Sequence, residues 1–138
     1  MADDEKSAGP AGRRNISSGA PWEAVVGYSR AVRVGPHVWV AGTTAVDAEG
    51  RVLCEGDAAG QTAAVLRKIE AALLEAGATM RDVVRTRMFV VNIDDWEAIG
   101  RAHGEVFRDI RPASTMVEVS RLVDARLLVE IEVEAFVG

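Results

Sequence analysis

The sequence predicts an α/β (α+β) fold, one mixed β-sheet with two helices packed on a single face. Three observations lead there. Strand-like and helix-like segments follow one another in the order β-β-(β)-α-β-α-β-β. The first helical segment is long enough to be a crossover between strands. The last strand is evenly apolar on one side and carries three glutamates on the other, so one face of the sheet meets helices.

Each element has its own signal. Residues 1–14, MADDEKSAGPAGRR, are rich in Gly, Pro and charge and read as a flexible tail, leaving 15–138 as one domain. Ile16–Ser18 is a short strand start, and Ser29–Val34 alternates up to the turn pair Gly35–Pro36. Val38–Thr44 is β-rich; the turn Asp47–Gly50 then leads into Val52–Leu53 as a hairpin. Asp57 caps a long helix in which Thr62, Val65, Leu66, Ile69, Leu73 and Ala76 recur at spacings of three and four. Gly77 stands where a helix C′ residue adopts the left-handed conformation, and Thr79 with Asp82 caps one short turn. Val83–Val91 alternates as a strand. Asp94 or Asp95 then caps a second helix, Trp96–Phe107, with Trp96, Ile99, Ala102 or His103, and Val106 on its apolar face. Arg111–Pro112 stops that helix, because proline disfavours the α region in the residue before it. Thr115–Leu122 and Leu127–Val137 are the last strands.

Composition narrows the function. At 138 residues the chain has the size of one domain, and 49% apolar with 27% charged residues is ordinary for a globular protein. A net charge of −5 argues against a nucleic-acid footprint, and no apolar run is long enough to span a membrane. Cys54 is the only cysteine, so no intrachain disulfide forms and a cytoplasmic location is expected. His37, His103 and Cys54 do not make an ordinary zinc site, so no metal is expected. Fourteen of the sixteen basic residues are Arg, a side chain suited to planar carboxylate recognition. No phosphate-binding glycine loop, GxSxG or HExxH is present.

The strand faces add a surface. In the last strand Leu127, Val129, Ile131, Val133, Ala135 and Val137 share one side, and Leu128, Glu130, Glu132, Glu134 and Phe136 the other. Carboxylates spaced about 7 Å apart repel and need cations or water. Arg85 and Arg87 of the Val83–Val91 strand are placed to supply them across the sheet. That face also carries Phe89, Val91, Leu128 and Phe136, and two helices leave it uncovered. It therefore reads as a subunit interface. On charge pattern alone Glu130 reads as a salt-bridge partner on this face; the alternative is a base, since an inward carboxylate at an interface can have a raised pKa.

The motifs resemble those of the YjgF/RidA family, the reactive intermediate/imine deaminases, often labelled L-PSP endoribonucleases. The matching segments are Gly27–Val32, Val40–Thr43, Glu75–Ala78, Asp82–Thr86, Arg111–Ala113, Met116–Leu122 and Leu128–Glu132. The resemblance implies a chorismate-mutase-like fold, a homotrimer with ligand clefts between subunits, and cofactor-independent hydrolysis of 2-imino or enamino acids. It implies Glu130 as the water-positioning catalytic group and Tyr28 and Gly42 in the cleft, with Thr43, Arg111, Ser114 and Met116 as further substrate-binding positions. The family arginine that grips the substrate carboxylate is replaced by Ser114, a frequent family serine by Ala41 and a helix asparagine by Gly100. Arg111 and Arg30 are the nearest candidates to replace the arginine. A trimer that binds a small ligand without turning it over is the alternative reading. No nucleic-acid or membrane partner is expected.

Overall fold

The computed structural model describes residues 12–138. Its elements are β1 (Arg13–Ile16), α1 (Pro21–Val26), β2 (Ala31–Val34), β3 (His37–Thr43), α2 (Ala58–Glu75), β4 (Val83–Val90), α3 (Trp96–Phe107), β5 (Ala113–Glu118) and β6 (Val129–Phe136). They form one six-stranded sheet in the order β1-β2-β3-β6-β4-β5. Only β4 and β5 pair in parallel; every other neighbouring pair is antiparallel. The mixed α+β architecture is the one the sequence predicts, with α2 and α3 side by side on one face. No helix of the described residues is long and apolar enough to cross a membrane.

The core lies between that face and the helices. Val129, Ile131, Val133 and Ala135 of β6 are buried, as the alternation requires, and meet Val65, Leu66, Ile69 and Leu73 of α2. Asp57 caps α2 by accepting the Gly60 amide at 2.9 Å. Gly77, at φ 80°, ends it: its amide bonds to the Leu74 carbonyl and that of Ala78 to Leu73. Two distant arginines complete this terminus, Arg14 on the Glu75 carbonyl and Arg33 on that of Ala76. Gln61, fully buried, ties α2 to the start of β6, accepting from the Leu128 amide and donating to the Arg126 carbonyl.

Several expectations need correction. Of the expected tail, residues 1–11 lie outside the described residues. Arg13 and Arg14 are in β1, paired with Val34 and Arg33, so the strand starts earlier than Ile16. The hairpin after β3 shrinks to an isolated bridge, Val46 to Val52. Strand β5 begins at Ala113 and ends at Glu118, short of Leu122. Neither aspartate caps α3 through its side chain; Asn92 accepts the Asp94 amide and starts a single turn of 3-10 helix before it. The inward face of α3 holds Ile99, His103 and Phe107 rather than Trp96 and Val106, both exposed. Helix α1 was not anticipated. Its proline start and Gly27 stop (φ 90°) are local signals, but six residues are too few to show a period.

Candidate functional site

The uncovered face of the sheet carries the charge pattern expected of it. Arg87 sits opposite Glu132 and reaches both Glu132 (3.3 Å) and Glu134 (2.9 Å). Phe136 and Trp39 stay 46% and 43% exposed and gather around His37, whose ring stacks on Trp39 at 5.6 Å and meets the edge of Phe136 at 5.1 Å. A cavity of about 230 Å³ opens beside them between Trp39, Ala41, Arg87 and Glu132.

Glu130 stands at the other end of this face. The β3–β6 register shifts between Val40 and Thr43, and this bulge places the Gly42 backbone directly beneath the Glu130 carboxylate. A Cβ at position 42 would collide with Oε2 and lie 3.0 Å from Cδ, so only glycine permits the approach. The same bulge turns Thr43 inward. Within this chain its side chain is fully buried, donating to the Ala41 carbonyl at 2.8 Å.

Arg30 holds this corner together. Its Nη1 donates to the Gly42 carbonyl (3.0 Å) and to Thr43 Oγ1 (2.9 Å), its Nη2 to the Tyr28 hydroxyl (3.4 Å), and its guanidinium lies 5.6 Å from the Tyr28 ring centre. Behind it stands Glu23, a residue that sequence reasoning missed. Glu23 is buried on the otherwise exposed helix α1, 3.9 Å from Arg30 Nε. It accepts hydrogen bonds from both Ser17 and Ser18. Burial pushes its carboxyl upward, but the serine hydrogen bonds and Arg30 outweigh this, and the pKa ends below the ordinary value. Nothing in the local pattern marks Glu23 as buried, because its partners come from loops on either side.

Burial pushes the Glu130 carboxyl above the usual glutamate range; Arg30 opposes that shift and Glu132 adds to it. Replacing Arg30 with Met is therefore expected to move the Glu130 titration midpoint further upward, since the charge that favours the carboxylate is gone. Carbon-13 NMR of the glutamate carboxyls measures this, and an unmoved midpoint would uncouple the two groups.

The other expected site residues lie elsewhere. In the β4–β5 register Ser114 pairs with Thr86 and Met116 with Met88, both buried on the helix side. Within one chain Ser114 and Met116 thus face away from Glu130. Arg111 sits at the end of α3 with φ 56°, its Nε bonded to the Arg108 carbonyl, also on that side. Glu130, Gly42, Tyr28 and Arg30 come together; Arg111, Ser114 and Met116 do not join them.

Residues 18–137 match the family described as Endoribonuclease L-PSP. The chain belongs to this family, also known as YjgF/RidA. Among its relatives, an uncharacterized Streptomyces coelicolor protein, SCO2049, is 41% identical over 125 residues, covering 91% of this chain and 92% of the relative. The 3-aminoacrylate deaminase RutC of Acinetobacter baylyi is 36% identical over 104 residues, covering 75% and 82%. The crystal structure of Rv2704 from Mycobacterium tuberculosis, described as a YjgF/YER057c/UK114 family member, superposes with a TM-score of 0.83. Its sequence is 50% identical, with 91% of this chain and 99% of that one covered. The YjgF/RidA assignment agrees with the motif order from Gly27 to Glu132.

Proposed function

We propose that this YjgF/RidA protein is a cytoplasmic, cofactor-independent hydrolase of imines or enamines, working in clefts between the subunits of a homotrimer. One observation carries the reading: a half-buried glutamate with a raised pKa rests on a glycine backbone, beside an arginine and a tyrosine hydroxyl. Such a carboxylate orients a water molecule toward the carbon of a C=N bond and takes its proton. The proton passes to the departing nitrogen, so one imine and one water give one carbonyl compound and one ammonia. The relative named 3-aminoacrylate deaminase supports a substrate of this class. A net charge of −5 speaks against RNA as the substrate.

The trimer explains the separation within one chain. Packing the edge strand β5 of one copy against the open face of the next would bring Ser114 toward a neighbouring Glu130. Three copies of the 14.7 kDa chain are the expected mass by light scattering. Phe136→Asp is expected to weaken assembly, because it puts a charge into an apolar contact. A stable wild-type monomer at micromolar concentration refutes the trimer.

A second reading is a trimer that binds a small ligand without turnover, favoured by Ser114 at the position of the family arginine. Ammonia release from freshly generated 2-aminoacrylate separates the two. Release that needs Glu130 supports the hydrolase; binding with no release supports the second reading.

A further inference from the structure

Two carboxylates, Glu23 and Glu130, share one arginine. The Arg30 side chain is only 12% exposed. Its Nη1 is taken up by the Gly42 carbonyl and Thr43 Oγ1, and its Nη2 by the Tyr28 hydroxyl. Its Nε is buried and makes no hydrogen bond among the described residues. That atom lies 3.9 Å from Glu23 Oε2, too far for a hydrogen bond but close enough for charge to act. Glu130 feels the same cation. Its carboxylate rests on Gly42, whose carbonyl Arg30 binds, and the two make no ion pair among the described residues.

The neighbouring charges are committed elsewhere. Glu132 acts on Glu130 from the same strand, but Arg87 of β4 pairs with it. Across β4 the residue opposite Glu130 is the uncharged Phe89. Lys68 of α2 feels Arg30 and adds positive charge, and its ammonium donates to the Thr44 carbonyl at 2.7 Å. Asp47, which also acts on Lys68, pairs with Arg51. A buried guanidinium needs an anion beside it. Glu23 is that anion, held in place by Ser17 and Ser18. Without its charge, the next free carboxylate under the influence of Arg30 is Glu130.

We propose that Glu23 is a positioning residue for Glu130: it balances the Arg30 charge and so leaves Glu130 free to orient water instead of pairing with the arginine. The inference rests on the hydrolase reading of Glu130 above. A carboxylate locked in an ion pair has its lone pairs occupied and is a weaker base. The two groups divide accordingly. At Glu23 burial, which raises the pKa, is outweighed by the serine hydrogen bonds and Arg30; at Glu130 burial prevails over Arg30.

The test is a carbon-13 NMR titration of the glutamate carboxyls in the full-length protein, with the acid limb of ammonia release measured beside it. Glu23→Gln keeps the side-chain length and a hydrogen-bonding group for each serine, and removes the charge. It is expected to lower the Glu130 midpoint, because Arg30 then acts on Glu130 unopposed. The rate at mildly acidic pH, as a share of the alkaline plateau, rises about twofold or more, the effect of a unit charge within a Debye length. Glu23→Asp keeps the charge and stays closer to the wild-type profile. Arg30→Met moves the Glu23 and Glu130 midpoints upward together, a result that does not depend on the Gln variant folding. An unmoved or raised Glu130 midpoint in folded Glu23→Gln overturns the proposal, even if thermal stability falls. A Glu23 midpoint that ignores Arg30→Met does the same. No ammonia release from the wild type overturns the hydrolase reading, whereas the titration judges Glu23 by itself.

Discussion

Glu130→Gln is expected to lower ammonia release from 2-aminoacrylate by about 10²–10⁴-fold, the usual contribution of a general base. Gln keeps the volume and a hydrogen-bonding carbonyl, so water still binds but loses its proton acceptor. The fold has no need of the charge. Among the described residues Glu130 makes no salt bridge, whereas its strand neighbours Glu132 and Glu134 pair with Arg87. Assembly and thermal midpoint should therefore stay close to the wild type. The wild-type rate should also rise with pH through a midpoint above the ordinary glutamate range, because the ionised carboxylate is the active form and burial raises its pKa. The Gln variant should lose this acidic limb. Full activity in Glu130→Gln would make the carboxylate a bystander.

Gly42→Ala is expected to reduce the same activity by about a hundredfold or more while the protein still folds. The new methyl group would occupy the space of Glu130 Oε2, and the terminal atoms of that side chain are what must move. A reacting group displaced by about 1 Å loses on the order of 10² in rate. The backbone at position 42 lies outside the left-handed region, so alanine introduces no conformational strain there. Circular dichroism should show a near wild-type melting curve. A variant with wild-type turnover would mean that the bulge does not set the carboxylate position.

Strand alternation made much of this molecule legible. Leu127–Val137 alternates so strictly that the buried and charged sides of β6 follow from the order of residues, and the Arg87 pairing with Glu132 and Glu134 follows from charge. Helix α2 was readable from its period, its Asp57 cap and Gly77, all within one stretch of chain. Glu130 and Gly42 were legible as candidates, but not the bulge that presses one on the other, since a register shift belongs to a pair of strands.

What the sequence by itself determined is the set of elements and their apolar faces, because hydrophobic period and capping act within a few residues. What only the tertiary structure decided is which polar groups meet. Glu23 is buried because Ser17, Ser18 and Arg30 converge on it from outside its helix. Ser114 meets Thr86 on the helix side rather than Glu130 because the parallel register of β5 on β4 sets its side of the sheet. Such contacts join residues far apart in the chain, and their geometry exists only once the strands have paired.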